Sequence, residues 1–426
     1  MRVKVDDMFW IGIIIVILTA IATVKKIEVR LTLFISGLLM ATLGGDPAAI
    51  FDAFAGAITS GSLVPIITAA FGFAFVLKKT GCDLELVNLL TRPMTKMGGL
   101  LIPATVAVTA VVTTAISSAA GGAAAIGAVL IPVLVKGGTH PAIAAAAVVA
   151  GTSFSMFNPG QALNALLYEI SGLSILEIVG RTLLPGIVAL AIMAASLMVV
   201  SKFSKGVKST QKSAPEEVVE KPKANILMAL VPIVPLLLLI FTSEIVGISP
   251  HEFTVLQAMI FGCLCAWGAT RKNPQEISKT YFEGMGNGFA KIIGIIAAAS
   301  VFTAGLDIIG VTGTLIEMME GSTGTVGFAA TIGPLFLSAL SGSGNAATIA
   351  FNTAITPNAA NFGLDMVDLG ILANLAGSLG RAISPVAGVT IICATIADVD
   401  PMEIAKRNFP GVIIASIAIL LMLVGL

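Results

Sequence analysis

The sequence predicts an all-α polytopic membrane protein made of two inverted repeats, each with five membrane crossings, a re-entrant helical hairpin and one broken helix. Three observations lead there. Of 426 residues, 56% are hydrophobic and 11% charged, with a mean hydropathy of +1.00, and several uncharged stretches reach the ~20 residues that cover a ~30 Å hydrocarbon core. Runs of small and polar residues interrupt this apolar sequence at 341–345 and 380–388, and again at 117–122 and 157–161. Non-helical backbone at membrane depth persists only where protein or a water-filled cavity covers it, so such runs mark re-entrant tips and unwound helices. Finally, the halves repeat: Pro132 and Pro357, and Pro185 and Pro410, are 225 residues apart, while Gly151 and Gly377, Pro159 and Pro385, Glu177 and Glu403, and Arg181 and Arg407 are 226 apart.

In chain order, Met8–Val24 is the first span, followed by Lys25, Lys26 and Arg30. Ala20-Ile21-Ala22 has the form of a signal-peptidase site, but the polytopic chain beyond it reads this helix as retained. A second span covers about Leu31–Leu43, with a polar, Gly-rich connection after it, and Ser62–Leu77 is a third, ending at Lys78-Lys79. The mixed segment Asp83–Met94 reads as an interfacial helix. The arms Leu100–Ile116 and Ala123–Val135 flank Ser117-Ser118-Ala119-Ala120-Gly121-Gly122 as a first hairpin. Ala142–Met156 runs into the break Phe157-Asn158-Pro159-Gly160-Gln161, and Ser174–Val200 crosses next.

Lys202–Lys223, rich in Lys, Glu, Ser and Pro, reads as a flexible linker. The predicted organisation is an N-terminal repeat over 1–201 (hairpin about 100–136, broken helix about 140–170), a cytoplasmic linker over 202–224, and a C-terminal repeat over 225–426 (hairpin about 324–357, broken helix about 364–397). Spans of the second half fall at Ile226–Phe241, Phe253–Ala269, about Phe289–Ile309 and about Phe409–Leu426, with a short interfacial piece at Leu315–Met319. Hairpin arms at about Val326–Leu340 and Ala346–Thr356 flank Ser341-Gly342-Ser343-Gly344-Asn345. A break lies at Gly380–Gly388.

Five crossings per half invert the second repeat relative to the first. With the N-terminus outside, the loops carrying Lys25, Lys26, Arg30, Lys78, Lys79, Arg92, Lys96, Lys136, Arg271, Lys272, Lys279, Lys406 and Arg407 are cytoplasmic, and only Arg2, Lys4 and Arg181 remain outside. That is the positive-inside pattern of a bacterial inner-membrane protein, with the hairpins entering from opposite faces.

Composition and motifs also exclude. Equal numbers of basic and acidic residues, 24 each, and no basic run interleaved with aromatics speak against nucleic acid. Cys82, Cys263, Cys265 and Cys393 have neither disulfide nor metal-ligand spacing. No zinc-protease motif, Gly-x-Ser-x-Gly elbow or intramembrane aspartate pair is present, so an intramembrane hydrolase is disfavoured. Paired broken helices favour alternating access over an open channel.

Broken helices end in free backbone N–H groups and a partial positive charge, which suit an anion, while freed carbonyls suit a small cation. The expected ligand is therefore a small anion, with no cofactor. Arg381 is the sharpest candidate, because an intramembrane Arg is paired or faces a cavity, and its guanidinium forks onto carboxylates. It could instead cap carbonyls freed at its own break. Ser341, Ser343 and Asn345 offer hydrogen bonds at the second tip, where Gly344 permits close approach. Ser117 and Ser118 mirror them at the first tip. Asn158 and Gly160 at one break, and Ser384 at the other, complete the candidate set. Lys291 reads as a snorkelling lysine. Glu169, Asp307, Glu403 and Arg407 read as interfacial, and His140 and His251, each beside a proline in a loop, do not read as a proton relay. With few carboxylates at membrane depth, sodium sites near the tips, proton coupling and anion exchange all remain open.

The run Ser341-Gly342-Ser343-Gly344-Asn345-Ala346, then Leu379-Gly380-Arg381-Ala382-Ile383-Ser384-Pro385-Val386-Ala387-Gly388, with Glu403, Lys406 and Arg407 following, resembles the DcuC family of anaerobic C4-dicarboxylate carriers. The similarity extends through the first half, including Ser117-Ser118-Ala119-Ala120-Gly121, and Gly-Arg-x-x-Ser-Pro-Val-x-Gly is its most specific part. The resemblance implies the fold of the ion transporter superfamily, a homodimer, and transport of a small organic dianion, succinate, fumarate or malate, driven by protons, sodium or exchange. Citrate, gluconate or an acyl amino acid on the same fold is the alternative.

Overall fold

The computed structural model describes residues 5–25, 27–93, 100–116, 118–204, 225–243, 252–319 and 322–425. The elements it defines are helical throughout. In the first half, α1 (Val5–Val24), α2 (Val29–Gly44), α3 (Ala49–Ile58), α4 (Leu63–Thr80) and α5 (Cys82–Thr91) precede a hairpin of α6 (Leu101–Ala115) and α7 (Ala119–Lys136). Then come α8 (Pro141–Thr152), α9 (Ala162–Ser171) and the long α10 (Ile175–Phe203). The second half holds α11 (Ile226–Leu230), α12 (Val234–Thr242), α13 (Val255–Thr270), α14 (Pro274–Gly288), α15 (Gly294–Ile308) and α16 (Val311–Met319). A second hairpin, α17 (Thr323–Ser341) and α18 (Gly344–Ala354), is followed by α19 (Met366–Ala382), α20 (Gly388–Ala397) and α21 (Pro401–Val424).

Among the described residues, seven helical units have the length and hydropathy of a membrane span. They include the interrupted units Pro141–Ser171 and Pro274–Ile308. Element positions recur along the chain. Helices α2 and α13 run over 29–44 and 255–270, and α9 and α20 over 162–171 and 388–397. The starts of α10 and α21, at 175 and 401, keep the same separation of 226 residues.

Local chemistry sets the helix starts. Ser174 accepts a hydrogen bond from the Glu177 N–H at the head of α10, and Asp365 accepts from Val367 and Asp368 at the head of α19. Asp400 caps α21 in the same way, with Pro401 in the first turn. This cap extends α21 back over Glu403, Lys406 and Arg407, which the sequence placed in a loop before a span at Phe409. Two further helices correct the sequence reading. The supposed polar connection after α2 contains α3. The stretch before Phe289 is α14, opened by the Asn273 side chain accepting from the Gln275 N–H. A π-turn at Phe289–Ile293 joins α14 to α15, and Arg30 Nη1 donates to the Ala290 carbonyl there at 2.9 Å. Lys291 at this turn is exposed. Residues 205–224 of the expected linker lie outside the described residues, although its first residues belong to α10.

The apolar interior forms two large clusters, each drawing on both halves. One joins α4 to α13, α14 and α15, with α2 packed along α15. The α2–α15 crossing rests on glycine: a Cβ on Gly37 would lie 2.5 Å from the Val301 carbonyl oxygen, and one on Gly305 would lie 2.5 Å from that of Gly37. Small residues let membrane helices approach this closely. The other cluster gathers both hairpins, both interrupted helices and the pair α10–α21. The candidate site lies within it.

Candidate functional site

The hairpin tips are tighter than the sequence suggests. In the second, α17 continues through Ser341 and α18 begins at Gly344, leaving Gly342 and Ser343 as the turn. Gly342 is left-handed, at φ 76°, and a Cβ on it would lie 3.0 Å from Ala387 backbone atoms, so the tip rests directly on the second break. Ser341 Oγ donates to the Leu337 carbonyl at 2.7 Å and accepts from the Ser343 N–H, while Ser343 Oγ accepts from the Ala346 N–H. These two serines therefore hold the turn. Asn345 is half-buried, and its amide has no protein partner among the described residues. In the first hairpin, α7 starts at Ala119 rather than after Gly122, because Ser118 caps it by accepting from the Gly121 N–H at 3.1 Å. Ser118 is exposed, and Ser117 lies outside the described residues.

Each interrupted helix has its own solution for the freed backbone. After α8 ends at Thr152, a short 3₁₀ turn covers Ser155–Phe157, so this break opens earlier than the sequence indicates. Asn158 is buried, and its Oδ1 accepts from the Gly160 N–H at 2.7 Å. Gly160 packs against Ala70 of α4 and Met259 of α13. Asn164, one turn into α9, donates to the carbonyls of Met156 at 2.7 Å and Asn158 at 3.0 Å. The second break is shorter, from Ile383 to Ala387, and Asn408 of α21 donates to the Ala382 carbonyl at 3.2 Å. Asn164 and Asn408 were missed by sequence reasoning. Their signal was an amide within an apolar span and within about two turns of a proline.

Arg381 bridges the two breaks. Its Nη2 donates to the Thr152 carbonyl, the last of α8, at 2.7 Å, while its Nε is buried without a partner. It thus caps the other half's interrupted helix, and no carboxylate pairs with it among the described residues. In and beside the two breaks, further buried polar atoms are without partners: Ser153 Oγ, Asn164 Oδ1, Ser384 Oγ, Thr390 Oγ1 and Asn408 Oδ1. Buried polar groups are nearly always paired, so a set gathered at two helix breaks marks a place completed by water or ligand. The start of α20 adds to it. Its N-cap is Ala387, which offers no side-chain acceptor, and a Cβ on Gly388 would meet nothing within 4 Å. A helix N-terminus without a side-chain cap attracts an anion.

A second polar set ties the hairpin to its neighbour. Asn352 Nδ2 of α18 donates to Asn374 Oδ1 of α19 at 2.9 Å, and Thr356 Oγ1 donates to Asn352 Oδ1 at 2.9 Å. All three residues are buried.

Over residues 8–426 the sequence matches the family described as DcuC, C4-dicarboxylate anaerobic carrier. The chain belongs to this family. It is a family of transporters, not of enzymes. An uncharacterized transporter of Haemophilus influenzae is 37% identical over 272 residues, covering 61% of this chain and 97% of that protein. The anaerobic C4-dicarboxylate transporter DcuC of Escherichia coli is 26% identical over 382 residues, covering 86% of this chain and 82% of the relative. Among solved structures, the YdaH transporter of Alcanivorax borkumensis superposes with a TM-score of 0.59 at 13% identity, over 88% of each chain. MtrF of Neisseria gonorrhoeae gives the same score and identity over 88% of this chain and 82% of its own. These superpositions place this DcuC-family chain in a known transporter architecture.

Proposed function

We propose that the protein is a secondary active carrier of C4-dicarboxylates such as succinate, fumarate or malate, working by alternating access in the bacterial inner membrane. The observation that carries the reading is that one break holds both the uncapped start of α20 and, at its other end, the unpaired Nε of Arg381 and Ser384 Oγ. One carboxylate sits on the free N–H groups of Gly388 and Val389, and Arg381, at the other end of the same break, shares the charge. Ser384 and Asn345 supply neutral hydrogen bonds. Ser341, Ser343 and Gly344 shape the second tip, while Asn158, Gly160, Ser117 and Ser118 form the facing half of the site. Membership of the C4-dicarboxylate family supports the substrate class.

The recurring helix bounds support two inverted repeats of five crossings, over 1–201 and 225–426, with opposed hairpins and an outside N-terminus. The second tip rests on its break while Ser118 at the first tip is exposed, which fits access from the side of the first hairpin. Coupling is to sodium or protons, or by anion exchange, and the carrier works as a homodimer in the lipid bilayer. The test is radiolabelled succinate uptake into proteoliposomes under imposed sodium and proton gradients, with succinate or buffer inside. Uptake competed by fumarate and malate is expected. Folded protein that takes up none under any gradient overturns the reading and turns attention to citrate, gluconate or acyl amino acids.

A further inference from the structure

Beside the first break lies a cavity of about 480 Å³, within the range of small-molecule sites. Phe157, Asn158 and Pro159 of the break form one side, and Thr114 and Ala115 at the tip end of α6 form another. The remaining walls come from α4, α10, α13 and α12 with the 3₁₀ turn Val231–Ile233 before it, and are apolar apart from Ser243. Among the described residues, no charged side chain lines it. Thr114 and Ser243 spend their hydroxyl protons on the carbonyls of Ala110 and Ile240, at 2.8 and 2.7 Å. A carboxylate has no counter-charge here, whereas an alkyl or aryl group meets hydrocarbon on nearly every side.

Gly180 of α10 lines this cavity, and a Cβ built on it meets nothing within 4 Å. The wall at this point is open space rather than helix packing. The cavity adjoins the first break, whose Asn158 belongs to the candidate site, and the Arg381–Thr152 hydrogen bond ties that break to the second.

We propose that this cavity is a second subsite, which receives the apolar substituent of a branched or aryl-substituted dicarboxylate whose charged end is held at the second break. The inference rests on the dicarboxylate reading for the charged end alone. Unsubstituted succinate leaves the cavity unfilled. Substituted succinates gain the free energy of burying their side group, about fourfold in affinity for each methylene.

The experiment is competition against radiolabelled succinate uptake in proteoliposomes by succinate, methylsuccinate, butylsuccinate and benzylsuccinate. Butylsuccinate is expected to compete at least tenfold better than succinate in the native protein, and Gly180→Phe, which fills the cavity, to reduce that ratio to about twofold. Val111→Phe, on another wall of the same cavity, repeats the test if Gly180→Phe does not fold. A flat series in the native protein, as expected of a cavity that houses a lipid tail, overturns the subsite and leaves the dicarboxylate reading standing. A preference that survives both filling variants overturns it as well. If the native protein transports no succinate, thermal stabilisation by butylsuccinate decides. Stabilisation abolished by Gly180→Phe supports the subsite and confines the failure to succinate as a transported substrate, and no stabilisation overturns both.

Discussion

Arg381 reaches from the last turn of α19 to the end of α8 and leaves a guanidinium nitrogen unpaired in a buried site. Hydrogen bonds to a charged group contribute about 1.5–3 kcal/mol, so Arg381→Gln is expected to weaken apparent succinate affinity by roughly 10- to 100-fold. Arg381→Lys restores only part of this, since an ammonium on a flexible stem lacks the planar fork that can hold Thr152 and a ligand together. Concentration-dependent uptake measures both. A folded Arg381→Ala protein with unchanged affinity removes Arg381 from the site. The amides of Asn164 and Asn408 play a different part, holding the carbonyls that the breaks set free. Replacing either with Leu strands those carbonyls and is expected to cost about 1–3 kcal/mol, read as a lower unfolding temperature in detergent. Arg381 and Asn158 drew notice in the sequence because charge and amide stand out against hydrocarbon, and Ser384 because it precedes the proline of the second break. The bridge to Thr152 was not, since nothing in the local sequence tells that a guanidinium caps a helix 229 residues away.

At the scale of elements, the start of α20 is the most exposed to test. Ala387→Asp gives the helix the cap it lacks. A capping side chain stabilises by about 1 kcal/mol, while its carboxylate occupies the place of an anionic ligand. The variant is therefore expected to unfold at a higher temperature and to transport with lower apparent affinity. A gain in stability with unaltered transport would separate the α20 terminus from substrate binding. The small polar runs of the sequence coincide with interruptions between helices, because Gly, Ser and Pro stand out in apolar surroundings. Their edges shifted by a few residues, since caps such as Ser118 and Ser343 let helices start inside runs that composition marks as loop. Helix α14 was missed because its residues are largely polar and it gains its place by packing Gly284 and Gly288 on Phe71 of α4. The Asn352–Asn374 link has no mirror in the first half, where positions 127 and 148 are Gly and Val, so the second hairpin is the more firmly bound to its helix.

Across the whole molecule, the halves contribute to each other's bundles. Helices α2 and α4 pack on α13–α15, and α10 packs on α21. Inverted repeats place equivalent loops on opposite faces. Single cysteines at Thr139 and Val399 are expected to react with membrane-impermeant maleimide only from the cytoplasmic side, and those at Leu173 and Leu364 only from outside. Labelling of Thr139→Cys and Leu364→Cys from one face would refute the inversion. The central claim, that the dianion occupies the second break, is tested most directly by Ser384→Cys in a protein whose four native cysteines are replaced. Succinate is expected to slow maleimide labelling of Cys at this position in a saturable way, with half-protection near the concentration that half-saturates uptake. Labelling indifferent to succinate, in a protein that still transports it, would contradict the account.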